Sequence, residues 1–475
     1  MLNTSGLLYL SARVVSAAGN LLAVAIFSRL AGPTEYGHYV LIFAWSLIVY
    51  GFGAQWMRFA FFGVYQSDRY GEYVGSLATL MAGGLSVVAI CLAALGISGL
   101  FSPSFLLAVF ALVCGMTLYE AAFEIARTLL DARNAASAMV LRAVLTVAFG
   151  STSLWLGGGA RGLALAIAGA NVIAAAPALQ ILARLNWSRG SRAAAWHIVV
   201  YGWPLLLSFG ITAIGQSIDR LLLAHYLGPA TLGPYGVVAD MLRQSYTVIG
   251  EAIALSLVTV AKSHANNGDF GAAEITLRRA FNACVATAAF GTAFFAVFGD
   301  KVLRLVLQPE FVAPVNDLIP LFAVAFAFMT MRSFYFAQVI YFSKASFLDL
   351  MIACLFVVVS SALSVALVPA YGPKGAALAL MVSNVVSCLA FFVLGRRWYR
   401  LPVDASALTV IPALALLFVL GAFATAKLIP HGHAALIVDA IAFAICGGFA
   451  IHRFGLLHAT PAVRVNGARP VQVSR

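Results

Sequence analysis

"LAGPTEYGHY" at residues 30–39 and "YLGPATLGPY" at residues 226–235 are two copies of one corner. Gly32, Pro33, Gly37 and Tyr39 recur as Gly228, Pro229, Gly233 and Tyr235, each 196 residues further on, and Arg29 falls on His225. The same offset pairs Ser16 with Thr212 and Asn20 with Gln216, so the duplication reaches into the preceding segment. A second marker, Gly159, Gly162, Ala166 and Asn171, recurs as Gly372, Gly375, Ala379 and Asn384, 213 residues on. The longer links between the eighth and tenth apolar segments absorb the 17-residue difference. A Gly-Pro pair ends a helix without leaving an amide to satisfy at the proline. The later glycine admits a tight re-entry, and the tyrosine is expected to anchor the next helix at the membrane interface. One such corner is common in any polytopic chain. Four identities in register at two places make an internal repeat.

Composition says where that repeat lives. The chain is 62% apolar and only 10% charged, with a mean hydropathy of +0.96, whereas charged residues make up roughly a quarter of a soluble domain. Fourteen runs are long enough for a spanning helix of about 20 residues: 7–29, 39–62, 75–98, 104–127, 138–157, 161–184, 199–222, 235–258, 279–299, 316–339, 347–369, 374–395, 407–428 and 434–453. A β-barrel needs alternating strands of about ten residues; these runs are continuous and rich in Ala, Leu, Gly and Val. The first run reads as a retained helix, since no basic segment precedes it and Arg13 interrupts it. The six cysteines fall inside the apolar runs without paired spacing, which points to packing rather than to metal or redox chemistry.

Each repeat holds six spans, an even number, so the two copies share one orientation in the membrane, as in transporters built from parallel six-helix halves. The expected division is 1–190 and 191–400 for the two lobes, 401–455 for two additional helices and 456–475 for a polar tail. With the N-terminus inside, the inner links collect Arg69, Arg127, Arg133, Arg184, Arg189, Arg192, Lys262, Arg278, Arg279, Lys344, Arg396, Arg397 and Arg400, against Arg29, Arg161, Arg220, Lys301, Arg304, Lys374 and Lys427 outside. The positive-inside bias therefore places both termini in the cytoplasm, and most of the net charge of +12 is this bias. Nucleic acid is not an expected partner, because no soluble basic domain exists to carry it. No link is long enough to be a folded domain, which argues against a glycan-joining membrane enzyme. There is no P-loop, HExxH or nucleophile elbow, so no catalytic residue, metal or cofactor is expected.

Over nearly its whole length the chain resembles the multidrug/oligosaccharidyl-lipid/polysaccharide (MOP, MATE-like) exporter superfamily, and within it the Wzx-type flippases of O-antigen and polysaccharide biosynthesis. The resemblance rests on the 30–39 corner, on "YGWPLLLSFGITAIGQSIDRLLLAHYLGPATLGPYGVVAD" (201–240) and on "YGPKGAALAL" (371–380). It implies an all-α membrane protein whose two six-helix lobes form a V around a central cavity open alternately to each side. It also implies a polyprenyl-pyrophosphate-linked glycan as cargo, the bacterial cytoplasmic (inner) membrane as the location, and lipids, a polysaccharide polymerase and chain-length proteins as partners.

The residues offer their own support. An arginine or acid at mid-membrane costs roughly 2.5–3.5 kcal/mol on insertion scales and usually faces a cavity or a partner. Arg13, Arg58, Arg142, Arg243 and Arg332 fall inside spans. Four of them lie in the inner third, where a snorkelling side chain also reaches the headgroups, and both readings stand. Arg243 sits about 8 residues, roughly 12 Å, into the eighth span from its outer end. With Asp240, Gln244, Thr247 and Glu251 it forms a polar stripe on one helical face. Arg13, Ser16 and Asn20 in the first span, and Ser208, Thr212, Gln216 and Asp219 in the seventh, repeat the pattern more gently. Glu120, Glu124, Arg127 and Asp131 share a face of the fourth, where Glu124 and Arg127 are placed to pair locally.

A cationic cavity suits an anionic headgroup, because the planar guanidinium takes two phosphate oxygens at once. Arg243, Arg13, Arg58, Arg142 and Arg332 are the expected pyrophosphate contacts, and Asp240, Glu251, Asn20, Gln216, Asp219 and Glu124 the polar or coupling groups. Asp240 and Glu251 either carry protons or pair Arg243; the sequence supports both. A lipid II flippase has similar chemistry with a different cargo. A cation-coupled multidrug exporter fits less well, since the first span offers Arg13 and no acid.

Overall fold

The computed structural model describes residues 4–66, 68–129, 131–180, 190–343, 346–428 and 432–456. The tail beyond Leu456 lies outside them, as do Arg184, Arg189 and Lys344. The described chain is helical in its regular elements: α1 (Thr4–Tyr50), a π-helical turn (Gly51–Gln55), α2 (Trp56–Val64), α3 (Tyr70–Ile97), α4 (Pro103–Thr128), α5 (Ala132–Trp155), α6 (Gly159–Ala174), α7 (Ala176–Leu179), α8 (Arg192–Leu227), α9 (Pro229–Ile253), a second π-helical turn (Ala254–Val258), α10 (Thr259–Asn266), α11 (Phe270–Val306), α12 (Pro309–Val312), α13 (Ile319–Phe334), α14 (Val339–Phe342), α15 (Ser346–Tyr371), α16 (Pro373–Gly395), α17 (Ala405–Leu428) and α18 (Gly432–Arg453).

Thirteen described stretches are long and apolar enough to cross a membrane. Each of the fourteen expected spans overlaps one of them, and the 54-residue stretch Ser11–Val64 takes in most of the first two; residues 181–184 of the sixth expected span lie outside the described residues. The corner between those two is tighter than the loop the sequence suggests: the backbone leaves the helix only at Gly32 (φ 71°, ψ 169°). Its repeat partner Gly228 has nearly the same conformation (φ 80°, ψ 173°). The second marker agrees, with Gly159 at φ 55° and Gly372 at φ 58°. All four are in the left-handed region that side chains other than glycine's avoid. The repeat seen as letters is therefore a repeat of backbone geometry.

By its contacts the chain separates into two compact units. The first comprises residues 1–244, 299–325 and 349–387. Within it, α1 packs on α4, α5, α6 and α8, and α4 on α6. The approaches are made over small residues, as expected where helices associate by close packing rather than by excluding water. A methyl on Gly19 would stand 2.8 Å from the Ala143 Cβ, and one on Gly115 would stand 2.7 Å from the Ala168 carbonyl oxygen. Local caps fix the helix starts: Ser102 accepts from the Phe105 amide, Asp131 from Asn134 and Ser191 from Ala194.

The second unit comprises residues 245–298, 326–348 and 388–475. Its centre is aromatic, with Phe443 of α18 against Phe290 and Phe294 of α11 and Phe418 of α17. Tyr335 packs on Phe281 and donates its hydroxyl to the Pro402 carbonyl. Asp404 starts α17 by accepting from the Ser406 and Ala407 amides, at 3.0 and 3.3 Å, and takes a further bond from the Asn282 amide at 3.2 Å.

Candidate functional site

The corner explains its own composition once its contacts are known. Gly37 and Gly233 meet across the two copies: a methyl on Gly37 would lie 1.9 Å from the Pro229 carbonyl oxygen, and one on Gly233 would lie 2.0 Å from that of Pro33. The acid has a partner too, since Glu35 Oε2 accepts from the Ala160 amide at 2.8 Å and so caps the start of α6. The tyrosines correct the sequence reading. Tyr36 is buried against Phe311. Tyr235 is fully buried and donates to Asp219 Oδ2 at 2.8 Å. Tyr39 faces a cavity. They look inward rather than anchoring helices at the interface, because the corner is packed on its own repeat partner.

The cavity, about 220 Å³, belongs wholly to the first unit. Asn20, Phe27, Tyr36, Tyr39 and Phe43 of α1, Arg142 and Thr146 of α5, Arg220 of α8, and Asp240, Arg243 and Gln244 of α9 wall it. Below it along the chain, α1, the π turn and α2 lie tightly on α8. Phe59 stacks on Phe209 at 4.7 Å, the Phe52 ring fills the space over Gly210, and Trp56 that over Gly202. Followed along α1 and α8, the cavity thus lies between two close contacts: the paired corners at one end and these ring-on-glycine seats at the other.

Charge is unevenly shared in its wall. Asp240 Oδ1 accepts from Arg220 Nη2 at 2.5 Å and from Arg243 Nη2 at 2.7 Å. Arg142 lies over the Tyr119 ring at 4.5 Å and reaches Glu120 Oε1 at 3.4 Å. The other Glu120 oxygen is taken by Arg58. Three arginines and one carboxylate therefore line the space, and a second carboxylate stands behind Arg142, shared with Arg58.

Of the expected contacts, Arg243, Arg142, Asp240 and Asn20 converge here. Arg58 is one carboxylate removed, held to Glu120. Glu124 is buried and pairs with Arg127 at 2.5 Å, the local pair that the spacing allowed. Asp219 is 3% exposed and adjoins the site through Arg220, the next residue. Arg13 and Gln216 are not among the lining residues, and Gln216 is exposed. Glu251 and Arg332 belong to the second unit. Arg220 is the residue that sequence reasoning misses, because it was counted among the outer charges. The signal was present: α8 runs to the Gly228-Pro229 corner, eight residues on, which puts Arg220 about 12 Å inside the helix end, and it is only 5% exposed.

No family model matches the chain, and no curated protein does. Solved structures do. The lipid II flippase MurJ in an inward closed conformation superposes with a TM-score of 0.73 over 94% of this chain and 99% of its own, at 12% identity. An inward-facing multidrug resistance MATE family transporter of the MOP superfamily gives a TM-score of 0.60 over 80% and 94%, at 16% identity. A MOP superfamily transporter from Pyrococcus furiosus, described as having a binding pocket of reverse polarity, gives 0.56 over 82% and 93%, at 15% identity. At these identities the likeness is one of fold: this chain has the helical membrane fold of MurJ and the MATE transporters.

Proposed function

We propose that the protein is a flippase that moves a polyprenyl-pyrophosphate-linked oligosaccharide across the cytoplasmic membrane by alternating access. The observation that carries this reading is the cavity wall, with Arg142, Arg220 and Arg243 against the single carboxylate of Asp240. Such a wall favours a phosphate-bearing headgroup over an organic cation. At about 220 Å³ the cavity is below the roughly 300–1,000 Å³ of ordinary ligand clefts. It suits the diphosphate of a cargo whose glycan and prenyl chain lie elsewhere, in a state closed around little else. Opening then means parting one of the two contacts that bound it, with the 1–190 and 191–400 repeats as the moving halves and both termini in the cytoplasm. Cargo binding biases the populations of the two states.

Lipid II transport is the second reading, favoured by the superposition on the lipid II flippase over 94% of this chain. The two share headgroup chemistry and differ in glycan. Cells lacking the protein separate them: an accumulating short polyprenyl-diphosphate glycan with normal cell-wall precursor supports the first, and accumulating cell-wall precursor the second. An unchanged lipid-linked pool with lost efflux of cationic dyes opposes both.

A further inference from the structure

Arg142 and Arg243 each enter the cavity wall as one member of a group of three. Glu120 of α4 is shared by Arg58 of α2 and Arg142 of α5, and Asp240 of α9 by Arg220 of α8 and Arg243 of α9. In each group one arginine is enclosed and the other is open: the Arg58 and Arg220 side chains are 13% and 6% exposed, those of Arg142 and Arg243 37% and 29%. The bonds follow the same order. Arg220 meets Asp240 at 2.5 Å and Arg243 meets it at 2.7 Å. Glu120 gives one oxygen to Arg58, while Arg142 stands 3.4 Å from the other and rests its guanidinium on the buried Tyr119 ring. The neighbouring acids have other partners: Glu124, one turn from Glu120, pairs with Arg127, and Asp219, beside Arg220, accepts from Tyr235.

Two arginines on one carboxylate can give up a bond without leaving a charge alone. Breaking a simple buried pair strands an ion, which is strongly unfavourable. Here Arg142 can leave Glu120 while Glu120 keeps Arg58, and Arg243 can leave Asp240 while Asp240 keeps Arg220. A guanidinium has five N–H donors and can take two phosphate oxygens in parallel, against the single contact that each carboxylate makes with its open arginine. An incoming phosphate therefore wins the arginine, and the carboxylate regains it when the phosphate departs. Passage needs both steps, since a species held too tightly does not leave.

We infer that Glu120 and Asp240 are positioning residues that stand in for the two phosphates of the cargo. Each holds one open arginine, Arg142 or Arg243, yields it to a phosphate on binding and reclaims it on release, while Arg58 and Arg220 keep the carboxylates in place. The inference rests on the flippase reading and deepens it, assigning both acids to release of the diphosphate rather than to carrying a coupling ion.

Binding of inorganic pyrophosphate to the full chain in lipid nanodiscs, measured by calorimetry, tests it. Glu120→Gln keeps an oxygen for Arg58 and removes the charge that competes for Arg142, so pyrophosphate should bind about fivefold tighter, the weight of one partly exposed ion pair. The gain should vanish in an Arg142→Gln background, whereas a general change in the field of the cavity would survive there. In proteoliposomes Glu120→Gln should lower both KM and kcat for a polyprenyl-diphosphate sugar, a split that a purely structural glutamate would not produce. Asp240→Asn, read against Arg243→Gln, makes the same test in the other group should Glu120→Gln fold poorly. If the wild-type chain binds pyrophosphate but the folded variant binds it no tighter, or if the gain survives loss of the open arginine, the inference is overturned and the flippase reading stands. A wild-type chain that binds no pyrophosphate overturns both.

Discussion

Adding one methyl group at Gly37 tests whether the paired corners close one end of the cavity. An alanine Cβ there would lie 1.9 Å from the Pro229 carbonyl oxygen and 2.7 Å from its carbon, with the Gly233 amide at 3.0 Å. All three are backbone atoms, so no side chain can swing aside. To reach an ordinary contact of about 3.4 Å the corners must part by about 1.5 Å, the difference from the 1.9 Å of the built atom. Overpacking of this kind costs about 1–3 kcal/mol, which as a bias between closed and open states is roughly a 5- to 150-fold shift. The assay is labelling of Thr146→Cys, a cavity position, by a membrane-impermeant maleimide in a background with the six native cysteines replaced. Gly37→Ala should raise the labelling rate by that factor from the corner side only. Gly233→Ala, which meets the Pro33 carbonyl oxygen at 2.0 Å, should do the same. Because one separation relieves both clashes, the double variant should cost little more than either single one, a large departure from additivity. Gly83, whose added methyl meets nothing within 4 Å, is the control. Labelling of Gly37→Ala equal to that of Gly83→Ala, or strictly additive effects, would refute the reasoning.

Other consequences are open to measurement. Removing Asp240 by alanine leaves Arg220, 6% exposed in its side chain, without its partner; the expected loss is about 3 kcal/mol, read as a lower unfolding temperature in detergent. Arg243→Gln keeps the Arg220–Asp240 bond and, with 29% of the Arg243 side chain exposed, should cost about 1 kcal/mol or less. Glu35→Ala removes the cap of α6 and should cost about 0.5–2 kcal/mol, most of it restored by Glu35→Gln, which keeps an acceptor oxygen. Burial pushes the Asp404 carboxyl up, but hydrogen bonds from Ser406, Asn282 and the Ala407 amide outweigh it and hold it below the usual carboxylate range. Its folded form therefore adds stability that is present above the unfolded carboxyl's pKa and lost as pH falls through the folded value. Asp404→Asn should flatten the acid limb of the stability profile, and an unchanged limb would deny Asp404 that role.

Spacing carried much of this fold and hid the rest. The Gly32 and Gly228 corners could be paired by letters alone because each needs a backbone conformation that only glycine takes easily. What each corner touches could not be read. The Glu35 partner is 125 residues away, and the Gly37 partner belongs to the other copy. Depth misled in a specific way: Arg220 was judged from the end of an apolar run, while α8 continues to the Gly228 corner. Arg243 and Asp240 were legible because their stripe has a helical period, but the third member of their network sits on another helix.

The measurement closest to the central claim is translocation of a fluorescent polyprenyl-diphosphate sugar by the purified chain in proteoliposomes, read by quenching of the exposed leaflet. The wild-type chain should move it, a polyprenyl-monophosphate sugar should move far less, and Arg243→Ala should lose most of the activity with its fold intact. Equal transport by Arg243→Ala, or transport of an organic cation in place of the diphosphate lipid, would contradict the account.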